Sequence, residues 1–237
     1  MALRRWRSRS RISVTSGVVL RRGLLGENDR LCVIYTAEHG KLPVRFIGVN
    51  RPQGKLKALS EPLTSAEFRL HLRVPHGGQA EGGAALCVGG ALLSTFPLLR
   101  ASLPKLLRGL ELCELLDRLT PLAQPNLDKH ALIESALHEL EQAPSEASAA
   151  WLGAAFALRL LESAGFGVGS LPVSAEHQGL WERLHAASLP EVAALPEDPE
   201  RLSRLESYLQ RSVERLIDRP LKTPRVRAEI AASARTL

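Results

Sequence analysis

The chain has 237 residues and a net charge of +6, with a mean hydropathy of −0.04, enough for one large or two modest folded domains. No run of about 18 uncharged apolar residues occurs, which excludes a bilayer-spanning helix. The charge is local: residues 1–75 hold 15 Lys and Arg against 5 Asp and Glu, a net of +10, while the remainder holds 16 against 20, a net of −4.

A compact basic region beside a mildly acidic remainder is the electrostatic footprint of a polyanion binder, the polyanion being a nucleic acid or an acidic protein tail. The plainer alternative is a solvated basic face without a partner. The opening MALRRWRSRSRISV has the charge of a secretory leader, but Arg21, Arg22, Glu27 and Asp29 interrupt the residues after it, so no leader-type apolar region is expected. Cys32, Cys87 and Cys113 are far apart, odd in number and flanked by apolar residues. They read as buried free thiols of a reducing cytosol.

In chain order, residues 1–13 form a basic arm (Arg4, Arg5, Arg7, Arg9, Arg11) without apolar periodicity. The arm either grips phosphates or is a loose terminus with no specific role. From Val14 the pattern becomes that of strands. Val14, Val18, Val19 and Leu20 form a first run ending at Gly23 and Gly26, Leu31–Thr36 a second and Leu42–Val49 a third. The turns between them, 26–29 and 38–40, contain Gly or Asn and predict an antiparallel meander.

After a looser segment, 50–61, the stretch Phe68–Val74 alternates apolar with polar and puts Arg69, His71 and Arg73 on a wet face. A glycine-rich loop, 77–83, leads to a fifth run from Ala84 to Leu93. Five short strands with glycines at bends predict an OB-type barrel over residues 14–95.

Beyond Phe96 the period is helical. Leu103, Leu106, Leu107, Leu110 and Leu116 mark a first helix with Ser102 as its N-cap. A second is expected from Asp128 to Gln142, capped by Asp128, and a third from Ser148 to Ala164, stopped by Gly165. An irregular loop, 166–178, precedes shorter helices at 181–187 and 190–195, a long one at 199–218 and a last one at 226–234. The class is therefore α+β: a five-stranded OB-fold barrel followed by an all-α domain over 96–237.

The strong catalytic and metal motifs are missing. There is no CxxC, HxxxH or HExxH spacing, no phosphate-binding GxxxxGK[ST] and no GxSxG. The glycines of 165–169 follow a helix and read as a loop, not a nucleotide fingerprint. His71 and His76 read as ordinary histidines, and the carboxylates Asp128, Glu134, Glu139 and Glu141 as a solvated helix face. No enzyme activity, cofactor or metal is expected.

A binding function then rests on the barrel, where a basic groove follows phosphates and aromatic side chains stack on bases. The candidate DNA-binding residues are Arg21, Arg22, Arg30, Lys41, Arg45, Arg51, Lys55 and Lys57. The barrel's only aromatics, Tyr35, Phe46 and Phe68, read as core side chains ahead of the alternative, stacking platforms for bases. Binding led by electrostatics tolerates any sequence, and neutralising about five phosphates gives a log–log salt slope of about −3.5 on single strands.

The stretch from Gly17 to Thr64, GVVLRRGLLGENDRLCVIYTAEHGKL followed by Gly48 and Leu59-Ser60-Glu61-Pro62-Leu63-Thr64, resembles the N-terminal domain of the RecO family of bacterial recombination mediators. Leu92–Phe96 with Glu111–Thr120 resembles the family's first helix, and Phe156–Leu161 with Gly165-Phe166 its central helix. The resemblance implies an OB barrel followed by a helical domain. It also implies sequence-tolerant binding of single- and double-stranded DNA and annealing of complementary strands. The partners it implies are RecR, the single-stranded-DNA-binding protein with its acidic C-terminal tail and, functionally, RecA. A cytoplasmic, nucleoid-associated location away from membranes goes with this.

The chain departs from the family in two places. Many members carry a four-cysteine zinc site just after the position of Gly165-Phe166, whereas residues 165–190 contain no cysteine. Members often have a basic residue before the hairpin glycine, where this chain has Ile47; Arg45, two residues earlier, shares its strand face. Two rival functions stand beside the mediator: an adaptor that binds acidic protein tails and touches DNA only incidentally, and a metal-dependent hydrolase or nuclease, which the missing ligand cluster disfavours.

Overall fold

The computed structural model describes residues 9–74, 84–166 and 175–234. The chain divides into two compact units, one of residues 1–95 with 122–126, the other of 96–121 with 127–237.

The first unit is a barrel of five strands: β1 (Arg9–Leu25), β2 (Asp29–Thr36), β3 (Gly40–Phe46), β4 (Ser65–Val74) and β5 (Ala85–Ser94). It closes in the order β1-β2-β3-β5-β4, with β4 returning to β1. The β1–β2 and β2–β3 pairs are the antiparallel meander that the turn residues predict. Closure is a short parallel contact of β3 with β5, Val44 opposite Ala85 and Arg45 opposite Leu86. The arrangement is the OB-like one.

Alternation fixes which residues face inward. Cys32 and Ile34 of β2, Val44 and Phe46 of β3 and Ala66, Phe68 and Leu70 of β4 meet in the core, with Phe46 and Phe68 edge to face at 6.5 Å. Tyr35, Phe46 and Phe68 are all fully buried, as the sequence suggests. β1 begins earlier than expected because the backbone from Arg9 onward already pairs with β4. The first eight residues of the basic arm, the 77–83 loop and residues 167–174 lie outside the described residues.

Residues 122–126 add to this unit. Leu122 bridges to Lys41 in parallel, and the Ala123 N–H donates to the Lys41 carbonyl at 2.9 Å. Position 40 must be glycine: its φ is +64°, and a Cβ there would stand 2.1 Å from the Gln124 carbonyl oxygen.

The second unit is all helical. It comprises α1 (Pro97–Ala101), α2 (Leu103–Leu119), α3 (Leu127–Gln142), α4 (Glu146–Ser163), α5 (Ala175–Ala186), α6 (Leu189–Ala193), α7 (Pro199–Ile217) and α8 (Lys222–Ala234). The central helix is α4. It is buried on nearly every side and packs against α2, α3, α5, α6 and α7, which its run of alanines and Gly153 permits by letting neighbours approach closely. Its N-cap is Ser145, whose hydroxyl accepts from the Ser148 N–H at 3.1 Å, and Gly165 follows its end at φ +88°. Asp128 lies in the first turn of α3 and is not its cap. Glu141, read from sequence as solvated, is buried and accepts the Leu98 N–H of α1 at 3.0 Å.

Candidate nucleic-acid interface

Seven of the eight candidate cations lie on the second half of β1, on β3 and on the segment 47–61 after it, and the eighth, Arg30, on β2. Residues directly opposite across paired strands share a face. Arg21 stands opposite Val33, which stands opposite Pro43; Gly23 stands opposite Leu31, which stands opposite Arg45. Arg21 and Arg45 therefore project from the same outer face of β1-β2-β3, in adjacent rows. A register shift between Val19 and Arg21 sets this phase: without it Arg21 would fall in the inward series.

Arg45 is half exposed and pairs with Asp29 at 2.6 Å. The Asp29 carboxylate also accepts the Gly48 N–H at 2.9 Å. That backbone hydrogen bond, then the Arg45 guanidinium, hold its carboxyl below the usual carboxylate range. Asp29 thereby ties the β1–β2 turn to the turn after β3. Two contacts reinforce the tie: the Asn50 N–H donates to the Asn28 carbonyl at 3.1 Å, and the Asn50 amide donates to the Glu27 carbonyl at 3.2 Å.

Arg22 is exposed and meets Glu61 at 2.5 Å. Glu61 also holds Arg30 at 2.7 Å. Arg30 is 7% exposed and donates further to Ser60 Oγ and Asn50 Oδ1, each at 2.9 Å. It is an internal strut between β2 and the 50–61 segment, presenting almost no surface to a ligand. Lys41 is also buried, at 8% exposed, where its strand meets residues 122–123.

The other cations on that segment, Arg51, Lys55 and Lys57, are exposed. Arg51 lies beside Gly48 and acts on Asp29, while Lys55 and Lys57 form no ion pair among the described residues. The segment keeps its shape through backbone bonds, Gly54 N–H to Arg51 carbonyl at 2.9 Å and Ser60 N–H to Lys57 carbonyl at 3.1 Å. Of the eight sequence candidates, Arg21, Arg22, Arg45, Arg51, Lys55 and Lys57 thus reach the surface around one end of the barrel. Arg30 and Lys41 do not. Arg11 and Arg69, absent from that set, are exposed on β1 and β4; alternation placed Arg69 on a wet face but did not say which one.

The side chains of strongest perturbation belong to packing. Burial pushes the thiols of Cys32 and Cys113 up to about 12 and that of Cys87 to about 11, so they are neutral and unreactive at neutral pH. In the helical unit Glu111, raised by burial, sits with Glu206 between Arg108 and Arg227, at N–O distances from 2.5 to 3.5 Å. The same unit holds a cavity of about 960 Å³ lined by Leu107, Ala150 and Leu202 and by charged residues of both signs, Lys105, Arg108 and Arg227 with Glu146 and Glu206. Among the described residues no group of three or more His, Cys, Asp or Glu is placed to hold a metal ion.

Fold and site together define the class: a small OB-like barrel with cations gathered at one end, followed by an all-helical unit. Two family models match the chain, "Recombination protein O N terminal" over residues 11–78 and "Recombination protein O C terminal" over residues 100–169. The chain is 29% identical over 149 residues to the DNA repair protein RecO of Pelotomaculum thermopropionicum, covering 63% of this chain and 54% of that protein. It is 27% identical over 227 residues to that of Salinibacter ruber, covering 93% and 85%, and 30% identical over 157 residues to that of Heliobacterium modesticaldum, covering 66% and 52%. The chain belongs to the recombination protein O family. The matches span about half the length of two of these relatives and most of the third.

Proposed function

We propose that this chain is a DNA repair and recombination mediator. It binds single- and double-stranded DNA without sequence specificity through the exposed cations of the barrel, and it anneals complementary strands. The observation that supports this most directly is the gathering of Arg21, Arg22, Arg45, Arg51, Lys55 and Lys57 around one end of the barrel, on a framework held by Asp29, Asn50 and Glu61. Cations fixed in this way neutralise phosphates of any sequence and reduce the repulsion between two strands, while pairing of the bases selects the product. Annealing makes and breaks no covalent bond, so the reading needs no catalytic residue, cofactor or metal, and the protein is not an enzyme under it. In the cell it would act in the cytoplasm on nucleoid DNA.

In this reading the chain works with RecR on strands coated by single-stranded-DNA-binding protein, so that RecA is loaded. Under it the helical unit's cavity, lined by Leu107, Ala150 and Leu202 and by Lys105, Arg108 and Arg227 beside Glu146 and Glu206, is the candidate seat of the coat protein's acidic tail. The same cavity favours the second reading, an adaptor that holds acidic tails and meets DNA incidentally.

Charge reversal separates the two. Arg45→Glu with Arg51→Glu should weaken DNA binding and flatten the log–log salt slope by about 1.4 on single strands, at about 0.7 for each phosphate no longer neutralised. Unchanged DNA affinity with tail binding retained would put the adaptor first.

A further inference from the structure

Arg45 is half exposed on the outer face of β3, yet its guanidinium is already occupied. Asp29, the first residue of β2, alternates onto the same face as Leu31, and Leu31 stands opposite Arg45, so Asp29 and Arg45 are diagonal neighbours across the two strands. The two oxygens of Asp29 have separate duties. Oδ2 accepts from Arg45 Nε at 3.1 Å and from Arg45 Nη2 at 2.6 Å, while Oδ1 accepts the Gly48 N–H at 2.9 Å. The Arg51 side chain lies beside Gly48 and acts on the same carboxylate. Asp29 therefore faces two of the exposed cations at that end of the barrel.

We infer that Asp29 is a resident counter-ion of the DNA-binding surface, a carboxylate that occupies Arg45 where a phosphate binds and that the phosphate displaces. This rests on the proposed DNA-binding function and deepens it, because it makes Asp29 a positioning residue that sets how firmly a strand is held.

The physical case has three parts. A guanidinium presents the same N–H fork to a carboxylate and to a phosphate, so the two ligands exclude each other at Arg45. The pair lies at the surface, where ion pairs are weak, and the Gly48 hydrogen bond keeps Asp29 in place and ionised when Arg45 leaves it. A departing strand then bares no guanidinium, since the carboxylate returns to it, and annealing requires that both strands be given up to the duplex. Glu61 differs, because it holds the buried Arg30 as well as Arg22 and is committed to the fold.

The test measures binding of a labelled oligothymidylate by the full-length chain. Asp29→Asn and Asp29→Ser both keep an acceptor for the Gly48 N–H and lose the charge; Glu67→Gln, at an exposed position on β4, controls for net charge. Both Asp29 variants should bind about two- to fivefold more tightly than wild type, steepen the log–log salt slope by up to about 0.7, and release the oligomer to unlabelled competitor correspondingly more slowly. In an Arg45→Ala background the gain from Asp29→Asn should disappear, an outcome that a purely structural role of Asp29 does not produce. Affinity unchanged or reduced in both Asp29 variants, a gain that persists without Arg45, or an equal gain from Glu67→Gln overturns the counter-ion and leaves the DNA-binding function standing where Arg45→Glu with Arg51→Glu weakens binding. No effect of that charge reversal on single or double strands overturns the function, and the counter-ion with it.

Discussion

Arg30 and Arg45 carry the same guanidinium on neighbouring strands, and only their surroundings separate them. Arg45 projects from the outer face and shares one carboxylate, so a phosphate can compete for it; Arg30 is enclosed by Asn50, Ser60 and Glu61. Truncating a buried, hydrogen-bonded charge leaves its partners unsatisfied. Arg30→Ala should therefore cost about 2 kcal/mol of stability in denaturant titration while leaving the salt slope of DNA binding unchanged. A reduced slope at intact stability would restore Arg30 as a phosphate contact. This distinction was not legible in the sequence. Both arginines sit in β-rich runs of similar composition, and the residues that enclose Arg30 come from a segment, 50–61, whose path no periodicity describes. The fate of the three cysteines and the three barrel aromatics was legible, because each is embedded in an apolar run that has to be inside.

At the scale of elements, strands and helices followed their periods, while their ends followed contacts. β1 starts at Arg9 since β4 is there to pair with, and α4 starts at Glu146 since the hydroxyl of the preceding Ser145 accepts the Ser148 N–H. The last helix shows the limit most clearly. Its sequence suggests a start near Val226, yet α8 begins at Lys222 because the Glu114 carboxylate of α2 accepts the N–H groups of Lys222 and Thr223, at 3.0 and 2.8 Å. No local signal reports a cap supplied from α2. Glu114→Ala should lower stability by about 1 kcal/mol and speed amide exchange in the first turn of α8, with α2 still protected. Unaltered exchange at Thr223 would show that the cap does not hold that turn.

For the whole molecule, order and class of the two units were readable from the change of period near Phe96, and the meander from its glycine turns. The closure of β3 on β5 and the return of residues 122–126 to the barrel were not, since both join residues distant in the chain through backbone groups that every sequence possesses. The proposed mediator function belongs to this scale too, because it requires the barrel's cations and the helical unit's cavity in one chain. The measurement that tests it most directly is the rate of annealing of complementary oligonucleotides coated with their cognate single-stranded-DNA-binding protein, with a tail-deleted coat protein as comparison. A mediator should speed annealing of the coated strands, and the gain should fall when the tail is removed. No acceleration on coated or bare strands would contradict the mediator function.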